Sequence, residues 1–235
     1  MHKQNCFITL TYDDEHLPDD YSVHVRTFQL FMKKLRKAYA GTKIRFYGCG
    51  EYGPLNLRPH YHAILFGHDF EDKKHWMKTE QDNNLYISDK LSRIWGNGFC
   101  TIGDVTYQSA GYVAQYVMKK INGDRALEHY LRTHPVTGDV VKVDPEFQLQ
   151  SVGLGSSWFD KFKDDCFPPD FLVVEGKQLR VPQYYLKKLD ELEKQKIKRK
   201  RKANALPRKA DNTPARLRVR ETVKTLQMQQ LQRKL

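Results

Sequence analysis

Two histidines separated by one residue, His60 and His62, carry the first chemical signal in this chain. The run Pro59-His60-Tyr61-His62-Ala63-Ile64-Leu65-Phe66 reads as a strand, and alternate residues of a strand share a face. Two imidazoles then stand side by side, a placement that lets them bind one divalent cation. His-x-His alone is a weak pattern that arises by chance. Glu51 strengthens it. This residue lies on or just beyond a strand expected over 43–49 and is joined to His60 by a tight turn containing Gly53 and Pro54. If the two strands pair as a hairpin, the carboxylate comes beside both imidazoles. Two nitrogens and one carboxylate leave positions open for water and phosphate oxygens.

Tyr112 and Tyr116 form the second candidate set. They are four residues apart on an expected helix, 110–121, and share one side of it, which Lys120 continues and Lys119 flanks. A phenol with a reference pKa of about 10 is a weak nucleophile, and a nearby cation stabilises the phenolate. A Tyr-x-x-x-Tyr pair is usually packing. Here Val113, Val117 and Ile121 already supply an apolar line, which leaves the tyrosine face for other work. Glu, His-x-His and a Tyr–Lys helix, in that order, form a set suited to attack on a phosphodiester.

The elements that must hold these groups follow from periodicity. Residues 6–12 alternate as a strand. Over 25–40, Phe28, Phe31, Met32, Leu35 and Tyr39 recur at helical spacing opposite Lys33, Lys34, Arg36 and Lys37, and the helix ends near Gly41. Ser88 is placed to cap a helix carrying Leu91, Ile94 and Trp95, stopped at Gly96 or Gly98. A strand follows over 99–106. Past Gly123 the signal weakens to a short helix capped by Ser156 or Ser157, a strand over 171–174, and a helix starting at Pro182 and running through Leu186, Leu189 and Leu192. Asp13 and Asp14, after the first strand, are turn acids that could also orient a ligand histidine. The mixed order favours an α+β sandwich with a central, largely antiparallel sheet flanked by helices.

Composition sets the limits. The chain has 235 residues, 40% of them hydrophobic, enough for one domain with a core and an appended tail. Four isolated cysteines form no Cys-x-x-Cys pair, which argues against a zinc ribbon or a disulfide framework and fits a reducing cytoplasm. No apolar run approaches the roughly 20 residues of a membrane span. The net charge of +12 is uneven: 194–235 holds 15 Lys and Arg against two acids, whereas 1–193 holds 25 basic and 26 acidic residues. Such a block is a solvated arm, and arms of this sign often rest on nucleic acid. The domain is expected over 1–181, followed by a basic, helical or disordered tail over 182–235.

These segments resemble the replication initiator proteins of small single-stranded DNA phages of the microvirus family, the gokushovirus branch in particular, within the HUH class of rolling-circle endonucleases. Asn5-Cys6-Phe7-Ile8-Thr9-Leu10-Thr11-Tyr12 is similar to the first rolling-circle motif. Gly50-Glu51-Tyr52-Gly53 with Arg58 through Gly67 is similar to the metal motif, and Ala110 through Lys120 to the tyrosine motif. Pro182-Gln183-Tyr184-Tyr185 and the basic helix after it fit the later part of such proteins. Members usually carry a further N-terminal segment with clustered cysteines, whereas this chain begins almost at the first strand motif.

The resemblance implies an HUH endonuclease-like fold and a tyrosine nuclease that nicks single-stranded DNA at a phage origin. The cut leaves a 5′-phosphotyrosine and a free 3′-OH, and the strand is later rejoined without ATP. It implies His60, His62 and Glu51 as ligands of Mg²⁺ or Mn²⁺ and Tyr116 as first nucleophile with Tyr112 as its partner. Lys120 and Lys119 would stabilise charge at the scissile phosphate. A host helicase and DNA polymerase are the expected partners, the cytoplasm of the infected bacterium the expected location, and no membrane is involved. Two other readings stay open: a related transposase or relaxase, and a nucleic-acid-binding module without catalysis.

Overall fold

Alternation in Asn-Cys-Phe-Ile-Thr-Leu-Thr produces the first strand, β1 (Asn5–Thr11), whose Cys6, Ile8 and Leu10 are buried. A computed structural model describes residues 1–53, 56–115, 121, 123–134 and 137–230, in two compact units, Met1–Leu154 and Gly155–Leu235.

The first unit is built on a seven-stranded sheet. Its strands are β1, β2 (Arg45–Tyr52), β3 (Pro59–Phe66), β4 (Lys74–Lys78), β5 (Asn84–Ile87), β6 (Cys100–Gly103) and β9 (Phe147–Gln150). They run in the order β4-β5-β6-β1-β3-β2-β9, and neighbours pair antiparallel. The expected α+β class with an antiparallel sheet is the one observed. Sequence periodicity does not predict the β4–β5 hairpin: every residue of β4 is exposed, so it carries no burial alternation.

One sheet face holds the main core. Helix α1 (Val25–Ala38) buries Phe28, Phe31, Met32 and Leu35 in one cluster with Ile8, Leu10, Tyr61, Ala63 and Leu65. Each such side chain contributes roughly 1.5–3 kcal/mol by leaving water. Gly48 lets the helix approach, because a Cβ there would stand 2.8 Å from the Phe28 ring. Helix α2 (Asp89–Trp95) adds Leu91 and Trp95. It starts as expected at Ser88, whose hydroxyl accepts from the Leu91 N–H, and it ends at Gly96 in the left-handed region.

The opposite face is covered by α3 (Tyr107–Gln115), whose Val113 is buried with Cys49 and Ile64. This helix begins three residues before the expected start at Ala110. Thr106 and Ser109 make a reciprocal cap there: the Ser109 hydroxyl accepts from Thr106 N–H at 2.8 Å and the Thr106 hydroxyl from Ser109 N–H at 3.0 Å. After it come α4 (Asp124–His129) and a hairpin of β7 (Leu131–Thr133) and β8 (Val140–Lys142).

The second unit contains α5 (Ser156–Cys166), the hairpin β10 (Phe171–Val174) and β11 (Lys177–Arg180), α6 (Gln183–Lys188), α7 (Glu191–Ala205), a 3-10 turn (Leu206–Asn212) and α8 (Pro214–Gln230). Phe159, Cys166, Phe167, Val181, Leu186, Leu189 and Ile197 form its core. Two expectations are corrected here. Gly155, not a serine, precedes α5 as its cap. The helix expected from Pro182 through Leu192 is two helices, because Leu189 is extended and Asp190 begins α7 with a capping box to Glu193. Helix α7 turns Ile197 inward and ties Arg201 to Asp170 through two 2.7 Å bonds, which leaves Lys196, Lys198, Arg199 and Lys202 exposed. All four cysteines are free and buried, as their spacing predicts. Among the described residues no helix is long and apolar enough to cross a membrane.

Candidate metal and nucleophile site

The register of three strands assembles the site. Directly opposed residues of an antiparallel pair share a face. On the α3 side, Thr9 faces His62 across β1–β3, Cys49 faces His62 across β2–β3, and Glu51 faces His60. One row therefore reads Thr9–His62–Cys49 and the next Thr11–His60–Glu51. Glu51, expected on or just beyond its strand, lies within β2, and the hairpin pairing required of it is the one found.

Glu51 Oε1 lies 2.9 Å from His60 Nε2 and 3.1 Å from His62 Nε2. The carboxylate is 2% exposed and His62 6%. Burial alone would raise the Glu51 pKa, but hydrogen bonds and charge from the two imidazoles hold the carboxyl well below the usual carboxylate range. The three residues form a group whose ligand atoms lie within 4.8 Å of one another, able to hold a metal ion.

Donor and acceptor roles show how well a cation fits. His60 Nδ1 lies 3.0 Å from the Arg58 carbonyl oxygen, which can only accept, so Nδ1 carries the proton. In the neutral ring Nε2 then aims a lone pair at the Glu51 carboxylate, another acceptor. A cation between them resolves this opposition. His62 Nδ1 is 2.9 Å from the Thr9 hydroxyl, which can accept in the same way and turn the Nε2 lone pair inward. Imidazole ligands fixed by a hydrogen bond on the far nitrogen are the usual arrangement at metal sites.

Sequence patterning does not single out Thr9, Arg58 or Phe7. Phe7 stacks on the His62 ring at 5.5 Å between centroids. All three lie in or beside segments that read as strands, but their contacts depend on register, which alternation within one strand does not reveal. Asp13 and Asp14 are engaged elsewhere: Asp13 bonds His16 at 2.6 Å, and Asp14 pairs with the Arg58 guanidinium. The Arg58 carbonyl and the Thr9 hydroxyl meet the imidazoles instead.

Helix α3 brings Tyr112 to this site. Its ring meets His62 edge-on at 5.5 Å and Phe7 at 6.5 Å, while Val113 beside it packs inward. Tyr116, Lys119 and Lys120 lie outside the described residues. The structure thus brings together Glu51, His60, His62 and Tyr112 of the candidate set.

Comparison with known proteins gives a consistent picture. Residues 5–121, which contain all of these groups, match the family model for the Replication-associated protein ORF2 family. The chain is 29% identical over 199 residues to Replication-associated protein ORF2 of Spiroplasma virus 4, covering 80% of this chain and 58% of that protein. It is 32% identical over 193 residues to Replication-associated protein VP4 of Bdellovibrio phage phiMH2K, covering 79% and 58%. It is 35% identical over 191 residues to Replication-associated protein ORF4 of Chlamydia phage 1, covering 78% and 45%. The chain therefore spans about half the length of the curated relatives it matches. No solved structure matches it.

Proposed function

Because the chain belongs to the Replication-associated protein ORF2 family, we propose that it starts phage DNA replication as a metal-dependent tyrosine endonuclease that nicks single-stranded origin DNA. The observation that carries this reading is the placement of the Tyr112 ring against His62, one of two imidazoles converging on the buried Glu51.

Glu51, His60 and His62 would hold a divalent cation, Mg²⁺ or Mn²⁺. Bound there, it would polarise the scissile phosphate and offset charge that develops on it. The chain's own residues do the rest. A tyrosine phenol loses its proton to solvent, and its oxygen attacks phosphorus. The P–O3′ bond breaks, and the departing 3′ oxygen takes up a proton. A 5′-phosphotyrosine and a free 3′-OH result. Tyr116 is our first choice for this attack and Tyr112 for its partner, because Lys119 and Lys120 follow Tyr116 closely and can stabilise the phenolate. The tyrosyl phosphodiester retains the bond energy, so a later attack by a 3′-OH reseals the strand without ATP.

Arg58 and Thr9 hold the imidazoles with their Nε2 atoms turned toward Glu51. The exposed cations of α7 would contact the phosphate backbone with little sequence information. In the cytoplasm of an infected bacterium, a host polymerase would extend the 3′-OH and a host helicase would open the strand. The direct test labels the 5′ end of single-stranded origin DNA and follows its cleavage: the released fragment is expected to be extended by a polymerase, and a fragment ending in a 3′-phosphate would contradict the chemistry.

A further inference from the structure

The β7–β8 hairpin and the turn between β2 and β3 enclose a cavity of about 200 Å³ that the nicking chemistry leaves unused. Its walls include Leu57, Val141 and Val143, the Tyr21 side chain, and the polar groups of Asn56 and Arg132. Drug-sized ligands occupy pockets of roughly 300–1,000 Å³, so this one suits a single planar group.

Arg132 gives the cavity its chemistry. Its guanidinium lies over the Tyr52 ring, 4.1 Å from the centroid, which fixes the plane of the fork. Its Nη1 is buried and has no hydrogen-bond partner among the described residues. A buried guanidinium N–H left unpaired is costly, and an arriving acceptor relieves that cost. Tyr21 offers a ring face at the wall and is braced edge-on by His134 at 5.6 Å.

The cavity is tied to the metal site through the chain itself. Tyr52, which supports Arg132, follows Glu51 directly. Leu57, held in the left-handed region at φ 52 and bonded to Gly53 O at 3.1 Å, precedes Arg58, whose carbonyl accepts from His60 Nδ1. A strand whose phosphate sits at Glu51 and His60 therefore has a neighbouring base within reach of this wall.

We propose that the cavity is a subsite for one unpaired guanine of the strand being cut, read by Arg132; this rests on the single-stranded DNA reading given above. Guanine presents two adjacent acceptors, O6 and N7, to an arginine fork, whereas adenine puts a donor beside N7. Unpaired bases are recognised in this way, by edge hydrogen bonds with an aromatic ring on one face. The largely apolar wall favours a base over a phosphate.

The test measures fluorescence anisotropy in EDTA, where no cutting occurs, with short oligothymidylates carrying one central guanine, 7-deazaguanine or adenine. The guanine oligomer should bind roughly ten-fold tighter than plain oligothymidylate, with the gain lost on 7-deazaguanine and in Arg132→Met. His60→Ala should keep the preference. The 7-deazaguanine arm needs no variant, so misfolding of Arg132→Met does not cloud it. Equal binding of all oligomers by the wild-type protein would overturn the subsite, as would a guanine preference that survives Arg132→Met. Uniform weakening of every oligomer by that variant would make Arg132 a backbone contact and overturn it too. Efficient nicking without base preference would dismiss only the subsite, and base preference without nicking would dismiss only the nuclease reading.

Discussion

Glu51 and His60 stand directly opposite each other across the β2–β3 pair, with Glu51 Oε1 2.9 Å from His60 Nε2. His62, two residues along the same strand, reaches the same oxygen at 3.1 Å. One hairpin therefore supplies the whole candidate ligand set, and the site forms whenever that pairing does.

Metal binding should be measurable without DNA. A cation held by Glu51, His60 and His62 stabilises the folded state by about 2.7 kcal/mol at a hundred times its Kd. For a chain of this size that is a rise in Tm of roughly 5–10 °C. Differential scanning calorimetry with Mn²⁺ should show the rise in the wild-type protein and not in His60→Ala or Glu51→Gln. Equal rises in all three would remove the metal from this group.

Thr9→Val tests the orientation of His62. It removes the hydroxyl 2.9 Å from His62 Nδ1 while keeping a β-branched side chain on β1. Metal affinity by isothermal titration should fall about 10- to 100-fold, with the far-UV circular dichroism unchanged. Unchanged affinity would mean that the ring is positioned by its stacking on Phe7.

Alkaline pH should weaken the first unit through Tyr52. Burial raises this phenol from 10.0 to about 12. Its OH donates to Asp144 O at 2.6 Å and accepts from Val23 N–H at 3.1 Å. A folded pKa above the unfolded one gives stability that is full below pH 10.0 and is lost as pH rises through about 12. The loss is of order 2–3 kcal/mol. Urea unfolding at pH 9 and above should show this slope, and Tyr52→Phe should flatten it. An unchanged slope in that variant would assign the transition to other tyrosines.

Salt should tune binding through α7. Lys198, Arg199 and Lys202 lie on its exposed side. For single strands the log–log salt slope changes by about 0.7 per phosphate contact, so replacing all three with Gln should reduce it by roughly two. Nicking of a saturating short substrate should be preserved. A slope identical to wild type would place the phosphate contacts elsewhere.

Much of this arrangement is legible in the residues. Strand 59–66 follows from alternation and two flanking turns, which leave little choice. Ser88 and Gly96 bound α2 by their own conformational chemistry. What escapes is non-local or solvent-exposed. Strand β4 has no buried residue, and its partner β5 is only half-buried, so neither shows a burial period. Leu186 and Leu189 are both buried at helical spacing, yet the helix breaks at Leu189 and restarts from Asp190, where a local cap outweighs the continuing period. Thr9 is invisible as a partner of His62 because the β1–β3 register is a tertiary fact. Of the tyrosine pair, the contact of Tyr112 with His62 depends on where α3 lies on the sheet, which helical spacing does not specify.

The most direct measurement of the central claim incubates the protein with single-stranded origin DNA and Mn²⁺, or with EDTA, and then looks for a protein–DNA adduct that survives denaturation. The account predicts a metal-dependent adduct that maps by peptide mass to Tyr116 or Tyr112 and disappears when both are changed to Phe, while DNA binding persists. An adduct that forms in EDTA, or that persists in the double variant, would contradict it.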